Sequence, residues 1–208
     1  EIGYVFPNVQ FPFVKNSSGY WEFDSYNSSQ TLRMKQEANG SYFLDRVGSG
    51  NAVHGMTFNG SAKSTDNSNF FPFNDAGESC SKDVNNAKRI NYGFGMRLDI
   101  PFYMTSDGKV TMTDSNGVTS TKDIVFNFSG DDDVWIFIDD VLVLDIGGGH
   151  GAVSGEINIA SCKETTTTNN TGGRSVSFNR LSDKAKHTLR MVYMDRGIWE
   201  SNQEITFK

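Results

Sequence analysis

Little cysteine, no concentrated basic charge, no long apolar run and no helical periodicity: each shortage in this chain excludes a class of protein. Two cysteines in 208 residues are too few for a metal cluster. Cys80 and Cys162 each lie in a polar, loop-like stretch, where a buried inert thiol is unusual. They favour a disulfide and an oxidising compartment, with two independent thiols as the alternative. Lys and Arg number 19 against 25 Asp and Glu, for a formal charge of -6, and no basic stripe forms. That disfavours nucleic acid as a partner, because binding a phosphate backbone draws on clustered cations. The longest apolar runs, Val134 to Ile138 and Val141 to Leu144, are too short to cross a bilayer, so no membrane insertion and a soluble fragment are expected. No signal peptide is visible at Glu1, which says little, because a chain trimmed to mature or single-domain boundaries lacks one. No apolar i, i+3, i+4, i+7 pattern is sustained; the best candidate, Cys80 to Arg89, offers one short polar turn.

What the chain has is aromatic β-structure. Aromatics reach 12%, with 16 Phe, which favours a packed β-sandwich over disorder. Tyr20 to Asp24, Thr31 to Glu37 and Ser41 to Asp45 alternate with period two and predict a meander, turning near Asn27 to Ser29 and at Asn39-Gly40. A Gly, Ser and Asn-rich connection from Gly48 to Asn69 holds one weak strand, Val53 to Phe58. Further strands are predicted over Tyr92 to Tyr103, Lys109 to Thr113, Asp123 to Phe128, Val134 to Ile138 and Val141 to Asp145. Glu156 to Ile159, Ser175 to Phe178, His187 to Met194 and Glu204 to Phe207 follow, with a Thr-rich loop from Thr165 to Gly173. About a dozen short strands with frequent turns predict one all-β domain over residues 1–208, an antiparallel two-sheet sandwich with long loops.

The chemistry concentrates in residues 127–151. Asp131, Asp132 and Asp133 sit between two predicted strands, so three negative charges crowd one sheet end. They are tolerable there if solvated or if they share a cation, and hard carboxylate oxygens suit calcium. An ordinary acidic turn is the alternative. The run Gly147-Gly148-Gly149-His150-Gly151 lacks the Lys-Ser/Thr and helix of a phosphate loop, so its glycines serve a turn or a close approach. Its His150 either pins the loop or contacts ligand. Asp139-Asp140 reads as a hairpin turn, Asp145 as a strand-end cap or a support for the site, and Trp135 as a core residue.

The stretch Phe126-Asn127-Phe128-Ser129-Gly130-Asp131-Asp132-Asp133-Val134-Trp135-Ile136-Phe137-Ile138, followed by Leu142 to Gly151, resembles the fibro-slime domain. That family is similar to the protective-antigen-type β-sandwich superfamily, a lectin-like jelly-roll that includes flocculin and epithelial-adhesin lectins. Phe11-Pro12-Phe13, Tyr20 to Ser25 and Phe71-Pro72-Phe73 resemble its opening half, and Thr188 to Asn202 its closing hairpin. In flocculin-type lectins, two aspartates joined by a cis peptide hold calcium with an Asn and backbone carbonyls of a second loop, and sugar hydroxyls complete the shell. The resemblance places that pair on Asp131-Asp132, with Asp133 either a further ligand or an acceptor of backbone N–H bonds. It assigns the second loop to Asp195–Asn202, with Asn202 as the amide ligand and Asp195 as its runner-up. Ligand contacts would come from Gly149, His150, Trp199 and Glu200, Trp199 either stacking on a sugar ring or packing on the sandwich.

The resemblance implies a calcium-dependent, non-enzymatic module binding extracellular glycans or glycoproteins, part of a larger secreted or wall-attached microbial surface protein. Two alternatives stand beside it. One is an architectural wall or slime component in which calcium staples loops and binds no ligand. The other is a glycoside hydrolase drawing its carboxylates from Asp131, Asp133, Glu156, Asp195 and Glu200, though no carboxylate sits in an obviously apolar pocket that would suit it to acid duty. An esterase is disfavoured, since no nucleophile elbow is present.

Overall fold

The computed structural model describes residues 5–25, 32–46, 70–73, 93–148, 150–168, 174–183, 185–196, 201 and 203–207. The helical candidate at Cys80 to Arg89, the weak strand at Val53 to Phe58 and the turn near Asn27 to Ser29 fall outside them. The described residues contain no helix, so none long and apolar enough to cross a membrane. Fifteen strands make up the described fold: β1 (Val14–Lys15), β2 (Trp21–Asp24), β3 (Leu32–Gln36), β4 (Tyr42–Arg46), β5 (Phe94–Tyr103), β6 (Lys109–Thr113), β7 (Thr119–Asp123), β8 (Val125–Gly130), β9 (Asp133–Ile138), β10 (Val141–Ile146), β11 (Val153–Asn158), β12 (Lys163–Thr168), β13 (Arg174–Ser177), β14 (Lys186–Asp195) and β15 (Gln203–Phe207). They fall into two compact units, each discontinuous in sequence: residues 1–12, 24–94 and 195–203, and residues 13–23, 95–194 and 204–208.

The second unit is an antiparallel two-sheet sandwich. One sheet runs β1-β2-β15-β8-β11-β12-β13 and the other β10-β9-β14-β5. Period-two alternation decides which side chains meet between them. Phe126, Phe128 and Ile157 point inward from the larger sheet, and Ile136, Leu144 and Met191 from the smaller; all six are at most 1% exposed. Phe207 lies between Phe126 (ring centroids 6.3 Å) and Phe102 (6.2 Å), joining the two layers. Gly155 on β11 sets how closely the sheets approach. A Cβ there would stand 2.8 Å from Leu144 Cδ2 and 3.0 Å from Ile146 Cδ1. A β6–β7 ribbon completes this unit, turning at Asn116-Gly117 as the sequence predicts.

The first unit holds the β3–β4 hairpin, paired from Leu32↔Arg46 to Gln36↔Tyr42, with its turn at Asn39-Gly40. Its aromatics cluster: Phe6 meets Tyr42 edge-on at 4.6 Å and stacks on Phe73 at 5.4 Å, and Phe70 meets Phe11 and Phe94. The two aromatic-Pro-aromatic runs thus supply rings to one cluster, and the Pro72 carbonyl accepts the Met34 N–H at 2.6 Å.

Three sequence expectations are corrected. The Thr-rich segment is not all loop, because Lys163–Thr168 forms β12, paired on both sides by β11 and β13; β-branched threonine suits a pleated surface even in low-complexity sequence. The stretch around Asp123 is two strands, β7 and β8, broken at Ile124. Trp135 is not in the core: Ile136 is fully buried, so its neighbour faces the outer side of the sheet, half-buried.

Because added volume at the closest sheet-to-sheet approach displaces packed side chains, Gly155→Ala is expected to destabilise the protein by about 1–3 kcal/mol. Urea denaturation followed by tryptophan fluorescence measures this; unchanged stability contradicts the role of Gly155.

Candidate functional site

The β8–β9 connection makes the acidic turn. β8 ends at Gly130 and β9 begins at Asp133, so the chain reverses over Asp131 and Asp132. Asp132 takes the left-handed backbone region, φ 67°, which aspartate tolerates better than most residues. Asp131 and Asp132 are half-buried, whereas Asp133 is 2% exposed. Every peptide bond among the described residues is trans, the Asp131–Asp132 bond included.

Asp133 reaches across to the glycine loop. One of its carboxylate oxygens accepts the Gly148 N–H at 2.5 Å. Of the two roles open to this residue, the structure thus displays the backbone-accepting one. Asp145 caps its own strand end by accepting the Gly147 N–H at 3.0 Å. Glycine suits both positions: a Cβ on Gly147 would crowd the Trp135 ring at 3.1 Å, and Gly148 has φ 122°. His150 closes the loop, with Nδ1 2.8 Å from the Gly151 carbonyl and Nε2 3.2 Å from the Ile146 carbonyl. Its observed contacts pin the loop. A neutral imidazole has only one N–H to share between two such acceptors.

Four predicted positions, Gly149, Trp199, Glu200 and Asn202, lie outside the described residues, as does Cys80. Asp195 closes β14, buried at 3% exposure, and belongs to the unit that does not contain Asp131, Asp132 and Asp133. Cys162 is a free thiol with φ 55°, its Sγ 3.6 Å from the Ile159 carbonyl. Among the described residues no three His, Cys, Asp or Glu side chains form a set that could hold a metal. Asp131 and Asp132 fit calcium in donor chemistry, being adjacent hard-oxygen carboxylates, but two residues supply only part of the six to eight oxygens the ion takes.

Sequence reasoning found the Asp139-Asp140 hairpin turn but missed what it holds. Both residues have positive φ, 48° and 66°, the geometry of a two-residue hairpin that matches strand twist. One Asp139 oxygen lies 2.5 Å from His187 Nδ1 and the other accepts the Thr188 N–H at 3.0 Å. The Ser182 carbonyl takes His187 Nε2 at 2.9 Å, and Asp140 pairs with Arg190. Burial works against charge on His187, yet the Asp139 carboxylate and Ser182 carbonyl prevail and raise its pKa. Burial likewise opposes ionised Asp139, and the bonds from His187 and Thr188 outweigh it, lowering its pKa. No spacing rule links Asp139 to His187; only β9–β14 pairing brings them together.

The second unit also carries two open cavities. One of about 650 Å³ lies on the outer face of the larger sheet, lined by Tyr20, Asn127, Glu156 and Thr165 among others. The other, about 510 Å³, lies beside the exposed rings of Trp21 and Tyr103. No sequence signal pointed to the first, because outward residues of separate strands carry no shared motif.

Fold and site thus define an antiparallel β-sandwich bearing an acidic turn clamped to a glycine loop. Compared with known proteins, the chain is similar to Protein psiF of Dictyostelium discoideum, 37% identical over 108 residues, or 47% of this chain and 13% of that protein. It is similar to psiB of the same organism (36% over 121 residues, 54% of this chain, 17% of that protein) and to psiE (35% over 133 residues, 60% and 21%). The chain therefore spans between 13% and 21% of the length of these relatives. No family model matches it, and no solved structure does.

The His187 clamp makes stability depend on pH. A raised imidazole pKa contributes stability that is complete below its ordinary value of about 6.5 and is lost as pH rises through the folded-state value. Asp139 contributes above its ordinary carboxylate range and loses this as pH falls through its lowered value. Thermal melts are therefore expected to decline as pH rises above about 6.5, with His187→Gln flattening that slope. An equal slope in the variant contradicts the clamp.

Proposed function

We propose that this chain is a calcium-assisted carbohydrate- or glycoprotein-binding module of a secreted or wall-attached surface protein, a non-enzymatic adhesion domain of fibro-slime type. The observation that carries the reading is the β8–β9 turn. It places the consecutive residues Asp131 and Asp132, both half-buried, at a sheet end, while Asp133 ties the adjoining glycine loop down through Gly148. Neighbouring carboxylates in general repel each other, and a divalent cation bound between them relieves that repulsion. Asp131 and Asp132 would hold the ion, with backbone carbonyls, water and ligand hydroxyls as further oxygens. Bound there, calcium supplies a Lewis-acidic centre that vicinal hydroxyls can coordinate.

On this reading His150 borders the ligand and shapes the glycine loop through its two carbonyl contacts. The small share of each relative that the chain covers supports its being one module of a longer protein. The net charge of -6 supports a partner other than nucleic acid.

Calcium at about one hundred times its dissociation constant should stabilise the wild-type chain by about 2.7 kcal/mol. Asp131→Ala and Asp132→Ala should each remove that gain while melting cooperatively in chelator. Calorimetric melts with calcium and with EDTA make the comparison, alongside a glycan array in both buffers. A full calcium response in both variants sinks the metal assignment; stabilisation without glycan binding in either buffer points to the architectural role.

A further inference from the structure

The outer face of the larger sheet offers a recognition surface made of none of the acidic-turn residues. The alternation that buries Phe126, Phe128, Ile157 and Ile205 turns Asn127, Glu156, Glu204 and Thr206 to the opposite side. Together with Tyr20 and Glu22 of the β2 region and Thr165 of β12 they line the open cavity of about 650 Å³. That size falls within the range of ligand clefts. Thr206 faces this cavity yet is only 8% exposed, so the surface is a groove with walls and not a flat sheet.

The lining restricts the occupant. Asn127, Glu156 and Thr165 stand opposite one another across β8, β11 and β12, forming one polar row. Asn16 Nδ2 donates to Glu22 Oε2 at 2.7 Å, and Ser154 Oγ to Ser129 Oγ at 3.0 Å, which pre-orders part of the polar lining. Among the described residues, three carboxylates, Glu22, Glu156 and Glu204, line the groove, and no Lys, Arg or His does. The described lining therefore disfavours anionic polymers, offering them no charged hydrogen-bond donor. The groove crosses five neighbouring strands from β2 to β12, roughly 19 Å at strand spacing, and so does not lie along a sheet edge where a peptide could add a strand. Hydroxyls, amides and carboxylates, with Tyr20 as an amphipathic ring, match a chain rich in hydroxyl donors.

We propose that this groove binds a non-anionic oligosaccharide, neutral or amine-bearing, and does so without calcium. Carboxylates accept sugar hydroxyls or ammonium groups through charge-assisted hydrogen bonds, while Asn127 and Thr165 both donate and accept. The site is separate from the acidic turn, so either can fail alone.

The test titrates the full chain, in EDTA, with β-linked hexamers of glucose and of glucosamine, with heparin and an oligolysine peptide as competitors, and follows amide chemical shifts. The expected result is binding of at least one hexamer with shifts centred on residues 127, 154, 156 and 165. Ser154→Trp, at an exposed lining position, should weaken that binding at least tenfold while leaving the melting temperature unchanged. Glu156→Gln should weaken the glucosamine hexamer more than the glucose hexamer, and Asp131→Ala should leave both unaffected. Absence of binding at millimolar hexamer, loss of binding in EDTA, shifts lying elsewhere, full binding by Ser154→Trp, or tighter occupancy by heparin or oligolysine each overturns the proposal.

Discussion

Everything described for the second unit rests on the meeting of two sheets across an apolar interior, Phe126, Phe128 and Ile157 against Ile136, Leu144 and Met191. Close packing of this kind is sensitive to single methylenes, and at Gly155 of β11 an added Cβ would meet the terminal methyls of Leu144 and Ile146 at 2.8 and 3.0 Å. Once the sheets are fixed at this spacing, the ends of β8 and β9 and the loop after β10 are fixed too. The acidic turn and the glycine loop meet because their supporting strands are held by the core.

The same alternation divides labour between the faces of each strand. On β8, Phe126 and Phe128 fill the interior while Asn127 and Ser129 line the outer groove. On β9, Ile136 is buried and Trp135 supports Gly147 from the other side. Asp133 serves a different end: a buried carboxylate that takes a backbone N–H costs less to bury than one without a partner, and here the bond also orders a loop. Charge near the β9–β10 hairpin is handled similarly, with Asp139 and Asp140 turning the chain and His187 and Arg190 answering their charges.

Much of this was legible in the sequence. Period-two patterns located the strands on either side of the acidic triplet, and Asn39-Gly40, Asn116-Gly117 and Asp139-Asp140 marked turns that the fold contains. The glycine run was correctly read as a turn and a close approach, and His150 as a residue that can pin it. Trp135 was misplaced because alternation tells which residues share a face but not which face is buried. β12 was missed because threonine repeats satisfy both a loop and a strand, and pairing on both sides decides between them.

By itself, then, the order of residues set the all-β class, the turns and the carboxylate triplet at a strand junction. Those are local properties, written in period, propensity and charge within a few residues. Only the tertiary structure decided that Asp133 reaches Gly148, that His187 answers Asp139 and that Asn127, Glu156 and Thr165 stand in one row. The physical reason is strand register: a shift of one residue turns every side chain to the other face, and register is set by packing between sheets that no local segment contains.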